Sequence, residues 1–134
     1  MEFIDSHCHP QLPQYKSDGE EVIKRAIEAG VGMVCVGTDL ETSKQGIRLA
    51  EKYSNFWASV GLHPNDNLGE KFDKDKYRDL LSEGKVVAMG EVGLDYYRTE
   101  GAEDQKTQKQ RFEEQLELAK EIGKPVIFHC RDAK

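Results

Sequence analysis

The segment FIDSHCHPQL, residues 3–12, places His7 and His9 two positions apart at the end of the chain's first apolar run. Alternate side chains of a β-strand project to the same side, about 6.6 Å apart along the strand. Both imidazoles could therefore bind one metal ion if the strand twists at its end. Two hydrogen-bonded histidines at a strand end would have the same sequence, so the pair alone leaves both interpretations open.

Glu91 and His129 also follow short apolar runs, VVAMG and VIF. A carboxylate at such a position is costly to bury unless it is bound to a cation or forms an ion pair with a lysine or arginine. The alternative for His129 is a hydrogen-bonded core histidine. With the first pair, these residues supply three histidines and one carboxylate from three strand ends, which matches the ligand needs of Zn²⁺, Mn²⁺ or a similar ion. We therefore expect a metal site formed by His7, His9, Glu91 and His129.

Three further polar residues lie near the same strand ends: His63, Asp95 and Arg131. His63 precedes a proline in GLHP, which favours extended backbone, and the histidine either binds substrate or caps the loop. Asp95 follows Gly93 in a tight turn, where aspartate is also common for local hydrogen bonding. Arg131 could contact an anionic substrate oxygen or form an ordinary surface ion pair. We expect all three to bind substrate.

Five short runs that are nearly continuously apolar predict strands covered on both faces, as in a parallel sheet. They are FID near residue 3, GMVCVGTD from 32, FWASVGL from 56, KVVAMGEVGLD from 85 and PVIFHC from 125. Amphipathic patterns predict helices over 18–30, 41–53, 73–84 and 108–123, the last with a core-facing stripe that includes Phe112, Leu116 and Ala119. This order of elements fits either a doubly wound open sheet or a (β/α) barrel. In both, ligands bind beyond the carboxyl ends of the strands, where the polar residues are expected.

Composition narrows the class of protein. The 134 residues include 19 Lys and Arg against 25 Asp and Glu, a formal net charge of −6, so a nucleic-acid substrate would have to be held locally by a metal ion or a few basic residues. No run approaches about 18 apolar residues and no signal-peptide pattern is present, which predicts a cytoplasmic protein without a membrane partner. The three cysteines lack CxxC spacing, so we expect reduced thiols packed as small apolar groups.

Four motifs in this order, FIDSHCHPQL, GLHP, GEVGLDYY and KPVIFHCRDA, resemble those of the TatD-related metal-dependent deoxyribonucleases, a family of amidohydrolase-like TIM barrels. The resemblance runs from the first residues to the last. It implies two divalent metal ions, Mg²⁺, Mn²⁺ or Zn²⁺. His7 and His9 would bind one ion, Glu91 would bridge both, and His129 would bind the second. His63 would be a substrate-binding or catalytic group.

The family's pattern continues with a histidine on the next strand and an aspartate near the last strand, the expected general base. A complete barrel has eight strands and about 250 residues. Residues 1–134 are therefore expected to form a partial TatD-like domain, the first five strands and intervening helices of a TIM (β/α)8 barrel. A fragment, a natural truncation and a barrel completed by another chain all fit. We expect a homo-oligomer, or association with the missing barrel half, to cover the open edges and the inward-facing Met89 and Ile127.

The function implied by the resemblance is hydrolysis of DNA phosphodiester bonds by a metal-activated water. A small-molecule amidohydrolase or lactonase could use the same ligands to polarise a carbonyl oxygen. A truncated remnant that binds metal without catalysis is the non-enzymatic alternative. A comparison of DNA oligonucleotides with simple esters and amides as substrates would discriminate among these three functions.

Overall fold

The computed structural model describes residues 1–133, so Lys134, the last residue of the predicted domain, lies outside the described residues. Strands and helices alternate along the chain. The strands are β1 (Phe3–Cys8), β2 (Val31–Val36), β3 (Phe56–Val60), β4 (Val86–Asp95) and β5 (Val126–Arg131). The helices are α1 (Gly19–Glu28), α2 (Leu40–Lys52), α3 (Lys74–Leu81) and α4 (Ala102–Ile122), with a short 3₁₀ helix at Pro13–Tyr15. All five predicted strands and all four predicted helices are present, and α4 begins six residues earlier than the pattern indicated.

The strands form one parallel sheet in the order β1-β2-β3-β4-β5. A doubly wound sheet reverses its strand order at a switch point, whereas a barrel adds each strand beside the last. The sheet therefore excludes the doubly wound alternative. It is a curled half-barrel, which confirms the predicted fold, an incomplete TIM barrel.

The apolar core lies between the sheet and its helices. Phe56, Leu81 and Leu118 are all fully buried there. The start of α2 is fixed by a capping box, in which the Asp39 carboxylate accepts from the Thr42 backbone N–H at 2.8 Å and the Thr42 hydroxyl accepts from the Asp39 backbone N–H at 3.0 Å. Such a cap satisfies backbone groups that a helix end leaves unpaired.

Helix α4 differs from its predicted apolar stripe. Phe112 and Leu116 are only partly buried, and the fully buried positions include the polar residues Gln108, Arg111 and Gln115. Their side chains donate to or accept from backbone groups of neighbouring loops and strand ends, so their burial leaves few polar atoms unsatisfied. The prediction failed because it assigned burial by hydropathy alone.

Within residues 1–133 both edges of the sheet are open, since β1 pairs only with β2 and β5 only with β4. Phe3, Ile4 and Phe128 are 66%, 51% and 61% exposed on these edge strands. Met89 is fully buried, so the expectation that it would be exposed is wrong. Its side chain packs in the core cluster beneath the helices.

The three cysteines are free, as predicted. Cys35 is buried, but Cys130 is exposed, so the expectation that every thiol packs in the core is wrong at this position. Within residues 1–133, no helix combines the length and hydropathy needed to cross a membrane.

Candidate metal centre

Glu91 faces the two histidines of the first motif across the carboxyl ends of the strands. Its Oε2 lies 3.2 Å from His7 Nε2 and 3.8 Å from His9 Nε2. The two imidazole centroids are 5.1 Å apart. Glu91 is only 8% exposed. A carboxylate this deep needs a compensating charge or several hydrogen bonds.

The other oxygen of Glu91 faces a second pair of histidines. Oε1 lies 2.9 Å from His129 Nδ1, and His129 Nδ1 lies 3.2 Å from His63 Nε2. Glu91 therefore belongs to two groups of ligand-type atoms. One group contains His7 and His9, the other His63 and His129, and within each group the ligand-type atoms lie within 4.8 Å of one another.

Hydrogen bonds behind two of the histidines fix which ring nitrogen faces Glu91. His9 Nδ1 lies 2.8 Å from the Val36 carbonyl oxygen, to which it can only donate. His129 Nε2 lies 3.0 Å from Asp95 Oδ2 and donates to that carboxylate. In the neutral rings, His9 Nε2 and His129 Nδ1 are then lone-pair nitrogens directed at the Glu91 carboxylate.

Asp95 is fully buried behind His129, and its carboxylate accepts hydrogen bonds from the Arg98 backbone N–H and from His129. Burial by itself would raise the pKa of Asp95, but hydrogen bonds from the Arg98 backbone N–H and from His129 hold it below its ordinary value. The carboxylate is therefore ionised at neutral pH. Its side chain contacts the candidate ligand His129 rather than open solvent.

His63 follows β3 and is almost fully buried at 4% exposure. Its Nδ1 lies 3.1 Å from both the Asp66 carboxylate and the Asn65 backbone N–H. Nδ1 accepts from the Asn65 N–H in one tautomer and donates to the Asp66 carboxylate in the other. The hydrogen bond from His63 holds the pKa of Asp66 below its ordinary value. His63 Nε2 faces His129 Nδ1.

The donor set fits a divalent cation. Ring nitrogens of His9, His63 and His129 and the oxygens of Glu91 lie within short distances of one another. A buried carboxylate among such nitrogens is stabilised when a positive charge lies beside it. Imidazole nitrogen and carboxylate oxygen are ligands that Zn²⁺ and similar ions prefer. Hence the residues present could hold one ion on each side of Glu91.

Glycine makes the close approach of β4 and β5 possible at this centre. Gly93 has φ +151°, and a side chain there would overlap the carbonyl oxygen of His129. Gly93 and His129 are register partners in the parallel pairing of the two strands. Only glycine combines this backbone conformation with this proximity, so Gly93 helps to set the distance between Glu91 and His129.

Two glutamines that sequence reasoning missed hold the strand ends from beneath. Gln115 accepts from the Leu62 backbone N–H at 2.7 Å and donates to the Leu62 carbonyl at 3.1 Å. Gln108 makes the same pair of bonds with the Asp95 backbone, at 2.9 and 3.2 Å. Leu62 precedes His63 in the chain, so both glutamines fix backbone beside candidate site residues. The signal that could have found them is their spacing of seven residues, in one stripe with the buried Leu118.

Arg131 lies at the end of β5, exposed to solvent. Its guanidinium carbon is 3.9 Å from the centroid of the Tyr97 ring. Among residues 1–133, no carboxylate oxygen lies within 4.0 Å of its guanidinium, so the surface ion pair considered as the alternative is not found in this part of the chain.

A parallel βα half-barrel with histidine and carboxylate side chains at the carboxyl ends of its strands is the arrangement typical of metal sites in TIM-barrel proteins. Comparison with known proteins gives the family. The model of the TatD related DNase family matches residues 4–134, and the chain belongs to this family.

Curated relatives include proteins named 3′-5′ ssDNA/RNA exonuclease TatD. The one from Edwardsiella piscicida is 42% identical over 125 residues, which is 90% of this chain and 46% of that protein. The uncharacterized metal-dependent hydrolase YabD of Bacillus subtilis (strain 168) is 40% identical over 132 residues, 97% of this chain and 51% of that protein. The chain thus spans about half the length of the curated relatives it matches.

A solved structure has the same fold. The crystal structure of YjjV, a TatD homologue from Escherichia coli K12, superposes with a TM-score of 0.84 at 36% sequence identity. The match covers 97% of this chain and 51% of that one. The half-barrel therefore corresponds to about half of the YjjV chain.

Proposed function

We propose that this chain supplies the metal-binding part of the active site of a nuclease that hydrolyses phosphodiester bonds in DNA. The observation that carries the proposal is the position of Glu91, whose two carboxylate oxygens face two separate sets of histidines. A shared carboxylate between two nitrogen-rich sets is what a two-metal hydrolytic site requires. Residues 1–134 would then be one part of a TatD-like domain.

Each predicted site residue has a role in this proposal. His7, His9, Glu91 and His129 would hold two divalent ions, which when bound polarise a phosphodiester and lower the pKa of a water molecule. His63, within reach of His129, would contact the substrate phosphate or move a proton at its Nε2. Asp95 keeps the Nε2 proton on His129 and so presents the Nδ1 lone pair. In this proposal Asp95 orients His129 instead of contacting the substrate directly, because its carboxylate is buried.

Nucleic acid is the substrate class that the relatives support, because several are named ssDNA/RNA exonucleases. A net charge of −6 disfavours non-specific attraction to a polyanion. Metal ions and the exposed Arg131 would provide the positive charge locally.

The open sheet edges support a further part of the proposal, association with another polypeptide. An exposed parallel edge with apolar side chains such as Phe3 and Phe128 is unfavourable in water. The simplest partner is a second copy of this chain. The alternative is a polypeptide that corresponds to the half of the relatives' length that this chain does not match. Light scattering on the purified chain tests the first case, and a stable monomer in dilute solution would contradict it.

The functional experiment compares the wild-type chain with Glu91→Gln, which keeps the shape of the side chain and removes its charge. A fluorescent single-stranded DNA oligonucleotide is incubated with Mn²⁺ or Mg²⁺, with EDTA, and in parallel with simple esters and amides. We expect the chain, once associated with its partner polypeptide, to cleave only the oligonucleotide and only with metal. This cleavage should be abolished in Glu91→Gln and retained in Glu83→Gln, an exposed control. Cleavage of esters instead of DNA would assign the chain to small-molecule hydrolysis, and equal cleavage by Glu91→Gln would place the site elsewhere.

A further inference from the structure

Tyr97 is an exposed aromatic residue near the candidate centre and is not part of the hydrophobic core cluster of residues 1–133. It follows Asp95 by two residues and is 59% exposed. The guanidinium of Arg131 covers one face of its ring, with the guanidinium carbon 3.9 Å from the ring centroid. Since a side chain covered on one face remains this exposed, the other face of the ring is open to solvent.

Strand pairing places this aromatic and cationic pair at the rim of the centre. Asp95 and Arg131 are register partners, and the Tyr96 backbone N–H donates to the Arg131 carbonyl at 2.9 Å. Alternation along β5 puts Arg131 on the same side of the sheet as His129, about 6.6 Å further along the strand. A ligand held by Tyr97 and Arg131 would therefore extend directly from the phosphate position that the centre defines.

We propose that Tyr97 and Arg131 form a subsite for a nucleobase of single-stranded nucleic acid, with the base stacked on the open face of Tyr97. This inference rests on the proposed function and adds the residue that recognises the base. Aromatic rings interleaved with arginine are the common means of binding unpaired bases, since every base has a flat face that can stack. One face of the Arg131 guanidinium packs against the Tyr97 ring. The guanidinium N–H groups lie at its edges and are available to a phosphate oxygen.

Charge and exposure favour this occupant over an acidic ligand without a base. An acidic peptide or a free phosphate would interact with the Arg131 guanidinium but would gain little from the exposed ring of Tyr97. In an acidic chain of net charge −6, a single arginine gives weak attraction, so stacking has to supply much of the affinity outside the metal centre.

The test measures binding of two fluorescent oligomers of equal length by anisotropy, one of thymidine nucleotides and one with the same sugar and phosphate backbone but no bases. Three variants are compared with the wild-type chain: Tyr97→Leu removes the aromatic face, Tyr97→Phe keeps it, and Ile27→Ala changes an exposed apolar residue on α1. We expect Tyr97→Leu to weaken binding of the thymidine oligomer roughly tenfold. Binding of the base-free oligomer should stay unchanged, and the other two variants should bind both oligomers within about twofold of wild type.

Equal binding of the thymidine oligomer by wild type and Tyr97→Leu would overturn the proposal. An equal loss of affinity for both oligomers in Tyr97→Leu would also overturn it, as would a wild-type chain that binds neither oligomer. Failure of the proposed function has a different readout, the absence of metal-dependent cleavage of either oligomer. A chain that binds the thymidine oligomer through Tyr97 without cleaving it would support the subsite and contradict the proposed hydrolase function.

Discussion

Asp95 and His129 are joined by a hydrogen bond of 3.0 Å between the carboxylate Oδ2 and the ring Nε2, and the Asp95 side chain is fully buried. The bond fixes the tautomer of His129 and directs Nδ1 toward Glu91. We expect Asp95→Asn to lower the affinity for Zn²⁺ by about 10- to 100-fold, the usual effect of losing a partner behind a ligating histidine. Isothermal titration calorimetry measures this change. Asp75→Asn, at a side chain 91% exposed on α3, is the control, and equal affinity in both variants would contradict the orienting role.

Gln115 carries both hydrogen bonds to the Leu62 backbone, next to His63. Replacement by leucine keeps the bulk but leaves a buried N–H and a buried carbonyl without partners, at about 1–3 kcal/mol for each group. We therefore expect Gln115→Leu to lower the free energy of unfolding by at least about 2 kcal/mol. Urea denaturation measures this change. Gln110→Leu on the exposed face of the same helix is the matched control, and similar stability of the two variants would show that the Leu62 contacts contribute little.

Gly93 allows β4 to approach the backbone of His129 with a φ of +151°. Gly93→Ala should destabilise the protein by at least about 2 kcal/mol, because both the conformation and the space exclude a side chain. Gly84→Ala is the control, since nothing lies within 4 Å of a side chain added there. Thermal and urea unfolding compare the two. Equal stability would mean that β5 can move away without cost.

Tyr77 is fully buried and donates to Glu70 Oε1 at 2.9 Å. Burial, followed by the nearby Glu70 carboxylate, raises the pKa of Tyr77 far above its ordinary value of 10.0. The unfolded chain therefore ionises this phenol first, so its contribution to stability is complete below pH 10 and falls as the pH rises further. Unfolding free energies measured on both sides of that pH should show a smaller alkaline loss for Tyr77→Phe than for wild type. Tyr15→Phe, at a partly exposed tyrosine, should retain the full alkaline loss of unfolding free energy. Identical pH profiles for all three proteins would show that Tyr77 is not the cause.

Much of the centre could be predicted from the sequence, because its residues end apolar runs. His7, His9, Glu91 and His129 follow strands whose carboxyl ends meet at one rim in any parallel sheet. Strand positions and order were therefore enough to predict that these side chains lie together.

Other features depend on packing that a pattern of hydropathy does not encode. Gln108 and Gln115 are polar, and only the tertiary fold shows that they satisfy strand-end backbone groups in the core. Asp95 was expected in contact with substrate, but the local turn directs its carboxylate at His129. Met89 was expected to be exposed in an open barrel, whereas core side chains cover it in the half that is present.

The central claim, that Glu91 shares its carboxylate between two metal ions, is tested most directly by diffraction from crystals of the chain soaked in Zn²⁺, recorded at the zinc absorption edge. We expect two anomalous peaks, each within about 2.2 Å of a Glu91 oxygen. One peak should be bound by His7 and His9, and the other by His129. Zinc density that leaves Glu91 without a metal contact, at full occupancy elsewhere on the chain, would contradict it.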